Sequence, residues 1–577
     1  MNTQKQESRT RLEMLKELYS TALLASSETY SRLERHMNQY LGSDEIDGSP
    51  ERAATVRNIT YEIVESQISA DIPLPKVDTL CYSERRESNA RSIEQLCASL
   101  RVELPFEELN DRDERYTYIY GGSVFYVEWD NQTVTSGGKG GVRVYLIPPT
   151  DFIPQPSVSD VEDMDYCFLK FRTTRGELVK KYGIAEDQLS LAECEYSYDG
   201  DNPLGDSVSV IIAFYRGEGG EIGKLVFSGD LVISDIPSYY KRKLGVCRAC
   251  KRPLSLCGCK RPEISLLDVD SELLTYDDSE ASVPYYTPMK FPIVIRKNTI
   301  GDSCLLGSSD CEKIRPQQQA INKIESRILQ KLLRAGITPV MPEGTSITLS
   351  NAVFGQVIKT RPGESIDNYG KIDTTPDISQ DILEADRLYD QAKRVLGISD
   401  ALQGTDTTSA ESGYARQLKI SQATSRLESK KRLKYLAYCK LYRIIFEHYL
   451  AFADEPRRYA YKNSFGMMCS CEFNRHDFIE REISGSLRYD DSYLFSVDLN
   501  AESQYEREAV WERNLTNLTS GTLGNKESPA TLLRYWQLQE RAHYPHAKEN
   551  VEYFKYIVDS AAQKTKIITK ESENKNE

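Results

Sequence analysis

One helical pattern of unusual length limits the folds that this chain can adopt. It runs from Tyr414 to about Asp454 and ends before Pro456. At 1.5 Å per residue such a helix would be about 60 Å long, whereas helices of globular proteins average about 11–12 residues. We expect no compact domain to surround a helix of this length, so the pattern indicates a spine or an assembly element.

The segments before this helix predict a mixed architecture. Residues 1–103 have mainly helical patterns, and residues 115–235 change to strand character. In that second region GGSVFYVEWD and GVRVYLIPP flank a glycine-rich loop, Ser136 to Gly141, which is typical of a β-hairpin. Further strands are predicted at Asp165–Arg172, VSVIIAFYR and KLVFSGDLVIS. Separate runs of helices and strands predict an α+β fold.

Two shorter helices are predicted on either side of short strands and turns at 338–378. The second helix begins with Ser379 as its cap and ends at Leu396, before Gly397. The first starts at about Ile314, and Pro316 fits only in its first turn. Its apolar residues form one stripe at helical spacing: Ile314, Ile321, Ile324, Ile328 and Leu332.

Length and charge exclude some classes of protein. The chain has 577 residues, enough for several domains. Its net charge of −14 argues against a general nucleic-acid binder, which is usually basic. No apolar run approaches the ~20 residues that span a bilayer, and the first residues lack the apolar core of a signal peptide. We therefore expect no membrane partner, and a protein made in a cytoplasm or a particle assembled there.

The sequence contains no recognisable catalytic motif. The five histidines are His36, His448, His476, His543 and His546. A histidine needs a placed partner to act as a base, and none of these lies in such a motif. The glycines at 137–141 lack the G-x4-G-K-[ST] spacing of a phosphate-binding loop and open no helix. We expect the protein not to be an enzyme.

Four of the 13 cysteines are spaced like metal ligands. An odd number of cysteines without a secretion signal does not favour a disulfide framework, and most, such as Cys97 and Cys439, are expected to be small buried residues. The exception is Cys247-x2-Cys250-x6-Cys257-x-Cys259, within an insertion at 236–265. Four thiolates can close a tetrahedral structural zinc site, and the basic residues around them would stabilise thiolates. The alternative is a run of free or redox-active cysteines.

Positive charge is concentrated in two helical segments of this acidic chain. Residues 312–334 carry six basic and two acidic side chains, and residues 414–454 carry nine and three. One interpretation is contact with DNA phosphates, which is electrostatic and independent of base sequence. In the first segment Lys331 and Arg334 lie near the helix end. The alternatives are a solvated face or salt bridges to neighbouring subunits.

The order of these segments resembles the portal proteins of tailed bacteriophages. The text of the sequence is also similar to that family at NITYEIVESQISADIPLPKV (58–77), IPPTDFIPQPSVSDVEDMDYCFLKFRTTRGELVKKYG (147–183) and GDSCLLGSSDCEKIRPQQQAINKIESRILQKLL (301–333). The resemblance covers nearly the whole chain. It rests on the order of the segments and on general similarity of the sequence, and includes no catalytic motif. The cysteine-rich insertion departs from the family pattern.

The resemblance implies a multidomain subunit. Residues 1–311 and 414–502 would form the wing with the long spine helix, 312–337 and 379–399 the helical stem, 338–378 the small β clip, 400–413 the tunnel loop, and 503–577 a helical crown with a disordered tail. The tunnel loop would line the DNA channel through its small polar residues Thr405, Asp406, Thr407, Thr408 and Ser409.

The resemblance also implies partners and a location. Portal proteins form rings of twelve around double-stranded DNA at one vertex of the capsid, and so belong to the virion. The clip meets the terminase large subunit and then the head–tail adaptor, and the wing meets the major capsid and scaffold proteins.

A second function stays open on the residues alone. The cysteine group is also compatible with a zinc-ribbon module that binds nucleic acid or a partner protein, with the helices as its scaffold. The two functions differ in assembly, because a channel needs a closed ring whereas a module can be monomeric.

Overall fold

The chain folds into an α+β arrangement of helices, a six-stranded sheet and smaller sheets. The structure, a computed structural model, describes residues 2–43, 56–80, 83–135, 138–196, 206–240, 286–301, 305–334, 377–398, 413–453, 456–462, 468–481, 487–497 and 504–541, with short stretches in 244–284, 337–340, 370–373 and 544–558. The helices in these residues are α1 Asn2–Ala25, α2 Ser27–Leu41, α3 Ile59–Glu65, α4 Glu84–Glu103, α5 Phe106–Tyr120, α6 Arg175–Tyr182, α7 Asp310–Arg334, α8 Ser379–Leu396, α9 Gly413–Phe452, α10 Gln504–Thr519 and α11 Pro529–Arg541.

The strands build two main sheets and several antiparallel pairs. They are β1 Lys76–Thr79, β2 Gly122–Thr135, β3 Gly138–Ile147, β4 Phe152–Pro154, β5 Tyr166–Thr174, β6 Cys194–Tyr196, β7 Ser207–Arg216, β8 Ile222–Ser228, β9 Leu231–Ile236, β10 Leu244–Cys247, β11 Ile264–Leu267, β12 Glu272–Leu274, β13 Ser282–Pro284, β14 Ile293–Lys297, β15 Ile337–Val340, β16 Gly370–Asp373, β17 Arg457–Lys462, β18 Met468–Phe473, β19 Ile479–Arg481, β20 Leu487–Tyr489 and β21 Tyr493–Ser496. One sheet has the order β14-β2-β3, and the other has the order β4-β5-β7-β8-β9 with β6 also paired to β7.

The three-stranded sheet is the middle layer of the core. On one face Phe125 of β2 packs against Tyr438 of α9, with ring centroids 5.7 Å apart. On the other face Tyr126, the next residue, packs against Phe214 of the six-stranded sheet at the same separation. Because successive side chains of a strand point to opposite faces, β2 is buried on both sides from Val124 to Val127, which explains the unbroken apolar run at those positions.

Helix α1 covers the outer face of the six-stranded sheet. Leu12 and Leu15 of this helix lie in one buried cluster with Phe168, Ile211 and Leu225. Their neighbours in the strands, such as Leu169 and Ile212, belong to the main core on the opposite face. The sheet is therefore enclosed between α1 and the three-stranded sheet.

The long helix is present almost as predicted, but its second half is enclosed. It spans 40 residues, Gly413–Phe452. From Tyr435 onward nearly every side chain is buried, including Tyr442, Ile445 and Leu450, and a helix that is apolar all round belongs in a core. The expectation that no compact domain would surround this helix is therefore wrong for residues 435–452.

Several predicted boundaries in the first half of the chain are wrong. Residues 115–120, assigned to the strand region, complete α5, which ends before Gly121 in a left-handed conformation. The segment KLVFSGDLVIS is not one strand, because Ser228 pairs with Leu231 and closes a hairpin at Gly229. Gly229 has φ 55°, and an added Cβ would lie 2.7 Å from the carbonyl oxygen of Leu191. The glycine is thus required at that turn.

Other local predictions are confirmed with small shifts. Strands β2 and β3 form the predicted hairpin, although Gly138–Gly141 belong to β3 instead of the turn. Helix α6 also has a side-chain cap, because the hydroxyl of Thr174 accepts a hydrogen bond of 3.2 Å from the backbone N–H of Glu177. Helix α8 spans Ser379–Leu396 and ends at Gly397 as predicted, but its N-cap residue is Ile378, so the prediction that Ser379 is the cap is wrong. Cys97 and Cys439 are buried as predicted.

Candidate functional site

Helices α7 and α8 form an antiparallel hairpin where the resemblance places the stem. Ile314 and Ile321 of α7 share a buried cluster with Ala392 and Leu396 at the end of α8. The opposite end of α7 lies beside the start of α8, where Lys331 contacts Asp381. The packing therefore joins the start of each helix to the end of the other.

The hairpin is anchored at one end and carries a small β-pair at the other. Ile314 and Ile321 are fully buried in the body, whereas Leu332 is 50% exposed. Beyond α7 the chain enters β15, which pairs antiparallel with β16 before α8 begins. The predicted apolar stripe of α7 is thus buried at its base and exposed at its last residue, Leu332. Helix α7 starts at Asp310, so Pro316 lies in its second turn and not, as predicted, in its first.

Three of the six cations of α7 form ion pairs with carboxylates of the same chain. Lys313 lies 3.6 Å from Asp310, and both Arg327 and Lys331 contact Asp381 of α8. The hydrogen bond from Lys331, together with the charge of Arg327, holds the pKa of Asp381 below its usual range. Lys331 therefore reaches a DNA phosphate only in competition with a carboxylate.

The other three cations of α7 are Arg315, Lys323 and Arg334. Lys323 is exposed, and neither Lys323 nor Arg315 forms an ion pair with any residue in the described part of the chain. Arg334 is the last residue of α7, and its side chain lies outside the described residues. The DNA-channel assignment of Lys331 and Arg334 stays a prediction.

A network of buried charges joins the base of the hairpin to the body. Asp310, the first residue of α7, accepts hydrogen bonds from Asn298 at 2.9 Å and from Lys430 of the long helix. Beside it, Glu114 of α5 accepts from Arg296 at 2.8 Å and lies 3.0 Å from Lys434.

The network links four elements by charge. Burial would raise the pKa of Glu114, but the charges of Arg296 and Lys434 outweigh it and hold that pKa below its ordinary value. Burial lowers the pKa of Lys430 and of Lys434. The network therefore fixes α7 and α9 relative to α5 and β14.

Several cations of the long helix consequently face the protein. Lys430 and Lys434 lie in the buried network, and Arg443 contacts Glu447 at 3.2 Å. Lys430 and Lys434 are therefore too deeply buried for DNA contact, whereas Arg443 is partly exposed and would reach a phosphate only in competition with Glu447. Lys431 and Arg432 are exposed on the same helix.

The cysteine group begins at the end of a β-hairpin. Strand β10 pairs antiparallel with β11, and Cys247, its last residue, is opposite Ile264. Cys250, Cys257 and Cys259 lie outside the described residues, within the segment that this hairpin closes. Among the residues that the structure does describe, no group of three or more metal-ligating side chains occurs. The zinc site stays a prediction.

The predicted tunnel loop also lies outside the described residues. Thr405, Asp406, Thr407, Thr408 and Ser409 all belong to the segment between α8 and α9 that the structure leaves undescribed. The loop is nevertheless bounded by helix ends, because α8 stops at Leu396 and α9 starts at Gly413.

The buried charge network was not identified from the sequence. One signal was available, since Arg296 interrupts the apolar run FPIVIRK and a cation in such a strand is rarely buried without a partner. Its partners could not be found by spacing, because they lie on elements remote in sequence.

Comparisons with known proteins give no further assignment. Neither a protein-family model nor a curated protein matches the chain. In the described part of the chain, no helix has both the length and the apolar character that a membrane span requires.

Proposed function

We propose that this chain is the subunit of a tailed-phage portal, a ring that surrounds double-stranded DNA at one capsid vertex and conducts it during packaging and ejection. The observation that carries the proposal is the helical hairpin α7–α8. It leaves the body with a small β-pair at its tip, and a 40-residue helix follows it in sequence and returns into the core. This matches the stem, clip and spine order that the resemblance implies.

The exposed apolar residues of the hairpin support assembly. Leu332 is 50% exposed and Leu383 is 68% exposed. Contact with another copy would remove these two apolar side chains from water. In a closed ring each copy uses two different surfaces, so neighbouring hairpins packed side by side would cover these residues. The resemblance sets the number of copies at twelve.

The charge of the hairpin fits a surface past which DNA slides. Asp381 pairs with two of the cations and offsets one unit of their charge, which leaves modest local positive charge on an acidic subunit. Phosphate binding strengthens with the number of cations that neutralise phosphates. A channel with few free cations would guide DNA without holding it. The chain would supply no packaging energy, which would come from the terminase large subunit at the clip.

The insertion at 236–265 fits a structural zinc site within the same protein. The hairpin of β10 and β11 places Cys247 at the start of the segment that contains the other three cysteines. Four thiolates leave no open coordination position, as expected of a structural metal. The ion would hold the insertion folded and would have no part in conducting DNA.

Electron microscopy of negatively stained purified protein tests the proposal. Rings with a central channel wide enough for duplex DNA are expected at micromolar concentration under several salt conditions. Leu383→Glu is expected to weaken the ring, whereas Leu24→Glu, which changes a 75% exposed leucine on α1, serves as the matched control. A protein that remains monomeric throughout would contradict the portal and favour the zinc-ribbon module.

As a portal subunit, the protein would also contact other virion proteins during assembly. The head–tail adaptor would replace the terminase at the clip after packaging, and the major capsid and scaffold proteins would contact the wing. Co-assembly with these proteins in a virion is the expected context, at the capsid vertex.

A further inference from the structure

Helix α3 lies between the α7–α8 hairpin and helices α2 and α5 of the body, and two of its faces are buried. Ile59 and Ile63, which are four residues apart, share an apolar cluster with the base of the hairpin. Val64 belongs to a different cluster, with Leu33 of α2 and Tyr118 of α5. This helix of seven residues therefore connects the hairpin to the body.

The body side of α3 is held by strong hydrogen bonds. Glu65, its last residue, accepts two hydrogen bonds from Arg115 of α5, at 2.9 and 3.0 Å. It accepts a third from the hydroxyl of Tyr40 in α2, at 2.6 Å. Because the arginine contact is bidentate and charge-assisted, it fixes the direction of the carboxylate as well as its distance. Helix α3 thus has a fixed orientation on the body.

The hairpin side of α3 is held by a group of polar contacts around one arginine. Arg57, two residues before α3, lies 3.1 Å from Asp386 of α8 and 3.8 Å from Glu325 of α7. The same guanidinium lies 5.4 Å from the ring of Tyr389 in α8, whose hydroxyl donates a hydrogen bond to Glu62 of α3. One arginine therefore joins the segment of α3 to both helices of the hairpin.

Pro316 gives α7 a place to bend. It lies inside the helix, six residues after the start at Asp310. A proline there cannot donate the hydrogen bond to the carbonyl four residues earlier, and helices kink most often at such positions. The turn before it is anchored in the body, because Asp310 accepts hydrogen bonds from Asn298 and Lys430. A bend at Pro316 would therefore move the rest of the hairpin and leave this first turn in place.

The contacts of Arg57 lie partway along the arm that such a bend would move. Glu325 is nine residues beyond Pro316, about 14 Å along the helix, and Arg334 is 18 residues beyond it, about 27 Å. A rotation of about 15°, which is within the scatter of helix packing angles, would move these two points by about 3.5 Å and about 7 Å. Such a movement would break the ion pairs of Arg57.

The polar and apolar contacts of the hairpin respond differently to salt. Arg57 is 40% exposed, and its partners Asp386 and Glu325 are 58% and 27% exposed. Their attraction is therefore screened as the ionic strength rises, and ion pairs with this exposure hold their side chains weakly. The apolar cluster, which includes Ile321 and Leu396, carries no charge, so salt does not weaken it.

We propose that Arg57 is an ionic latch that holds the α7–α8 hairpin at its present angle, and that Pro316 is the hinge about which the hairpin turns when the contacts of Arg57 are screened. The end of the hairpin then moves by several ångström, while the apolar cluster keeps α7 and α8 paired. The inference concerns a single chain and does not depend on ring formation. In the proposed ring, the angle of the hairpins would set the width of the channel.

Pulsed electron–electron double resonance on the full chain measures the angle. The two spin labels are introduced as noncanonical amino acids, because the 13 cysteines make thiol labelling unselective. One replaces Gln380, exposed at the start of α8, and the other replaces Glu218, exposed in the turn between β7 and β8. Co-expression with an excess of unlabelled chain keeps each measured distance within one chain. Between about 0.01 M and about 1 M salt, where the Debye length falls from about 30 to about 3 Å, the distance is expected to shift by several ångström.

Loss of the latch should give the high-salt distances at low salt. Arg57→Ala and Asp386→Asn each remove one side of the shorter ion pair, and Asp386 is exposed, so its replacement should not disturb folding. Arg387→Ala is the matched control, because it breaks an exposed pair with Glu384 that lies within α8, and it should leave the distances unchanged. Pro316→Ala restores the missing backbone hydrogen bond and should reduce the shift at high salt.

Three outcomes would overturn the proposal. The first is a distance that neither salt nor Arg57→Ala changes, since the apolar cluster alone would then fix the angle. The second is an equal change in Arg57→Ala and Arg387→Ala, which would mean that any lost charge loosens the hairpin. The third is a full salt response in Pro316→Ala, because the bend would then lie elsewhere.

Discussion

Lys434 in the long helix places its ammonium nitrogen 3.0 Å from Oε1 of Glu114 in α5, and both side chains are almost fully buried. Arg296 of β14 contacts the same carboxylate oxygen at 2.8 Å. One carboxylate thus holds two cations on two elements that are remote in sequence. The consequence is that the enclosed half of the long helix has a fixed position against the sheet.

Removal of the charge of Glu114 should destabilise the body of the protein. Glu114→Gln leaves Lys434 and Arg296 buried with fewer carboxylates than cations. Breaking a buried pair in this way costs about 3–5 kcal/mol. The expected result is an earlier transition in urea, followed by the fluorescence of Trp129, which packs against Tyr449 of the long helix.

A matched substitution separates this effect from a general loss of charge. Glu108→Gln changes a glutamate of the same helix that is 62% exposed and pairs with Arg112 one turn away. Exposed pairs at this spacing contribute about 0.3–0.5 kcal/mol. Equal shifts in the two variants would mean that the buried network does not stabilise the body.

Stability should fall in mild acid because His448 is buried as a neutral ring. Burial, with the nearby charge of Lys224, lowers its pKa from 6.5 to about 4. Between these values the unfolded chain binds the proton and the folded chain does not, so the free energy of unfolding decreases by about 1.4 kcal/mol per pH unit. The contribution is complete above pH 6.5 and is lost as the pH falls towards 4.

Replacement of His448 tests this pH dependence. His448→Phe keeps an aromatic ring beside Tyr240 and Phe452. Denaturant unfolding at pH 5 and pH 7 should show a smaller difference than in the natural protein. Part of the slope should remain, because His36 and His476 also have a pKa lowered to about 4 by burial. An unchanged slope would show that His448 does not control it.

Local sequence signals predicted where helices and strands lie better than they predicted which residues pack around them. The long helix and α8 were found within a few residues, because period, length and end residues are local properties. Residues 115–120 were misassigned, since alternating tyrosines favour a strand while the packing of α5 overrides that preference.

Interactions between distant elements were not predictable in the same way. The pairing of Lys331 with Asp381 depends on how two helices pack, and the enclosure of Tyr442 and Leu450 depends on the sheets around them. Neither follows from residue spacing within one segment. The burial of the second half of α9 therefore could not be predicted from the helix alone.

Removal of Asp381 should strengthen the response of DNA binding to salt. Asp381→Asn leaves Arg327 and Lys331 without the carboxylate that both contact. If the hairpin faces DNA, the slope of log affinity against log salt should become steeper by about one to two. Asp390→Asn, which removes the exposed carboxylate partner of the buried Lys393 on the same helix, is the control and should change the slope little.

Removal of positive charge from the same hairpin is the opposite change. Neutralising Lys331 and Arg334 together is expected to impair DNA packaging or retention more than ring assembly. Counts of packaged genomes and of rings in the same preparation measure the two effects separately. Normal packaging with failed rings would assign these side chains to subunit contacts.

The purified protein should carry about one zinc ion per chain, bound by Cys247, Cys250, Cys257 and Cys259. Strands β10 and β11 have only four residues each, and a two-stranded hairpin is marginal in water by itself. Metal binding would supply the missing stability, because structural zinc sites are largely unfolded when empty. Elemental analysis of protein purified without chelators measures the metal content.

Replacing Cys257 and Cys259 by serine should release the zinc and expose residues 241–262 to protease, while rings persist. Cys97→Ser provides the control, since this cysteine is buried in the main core, far in sequence from the proposed ligands, and its loss should leave the metal content unchanged. Absence of metal in the natural protein would refute the site. Loss of rings in the double variant would instead place the insertion at the interface between subunits.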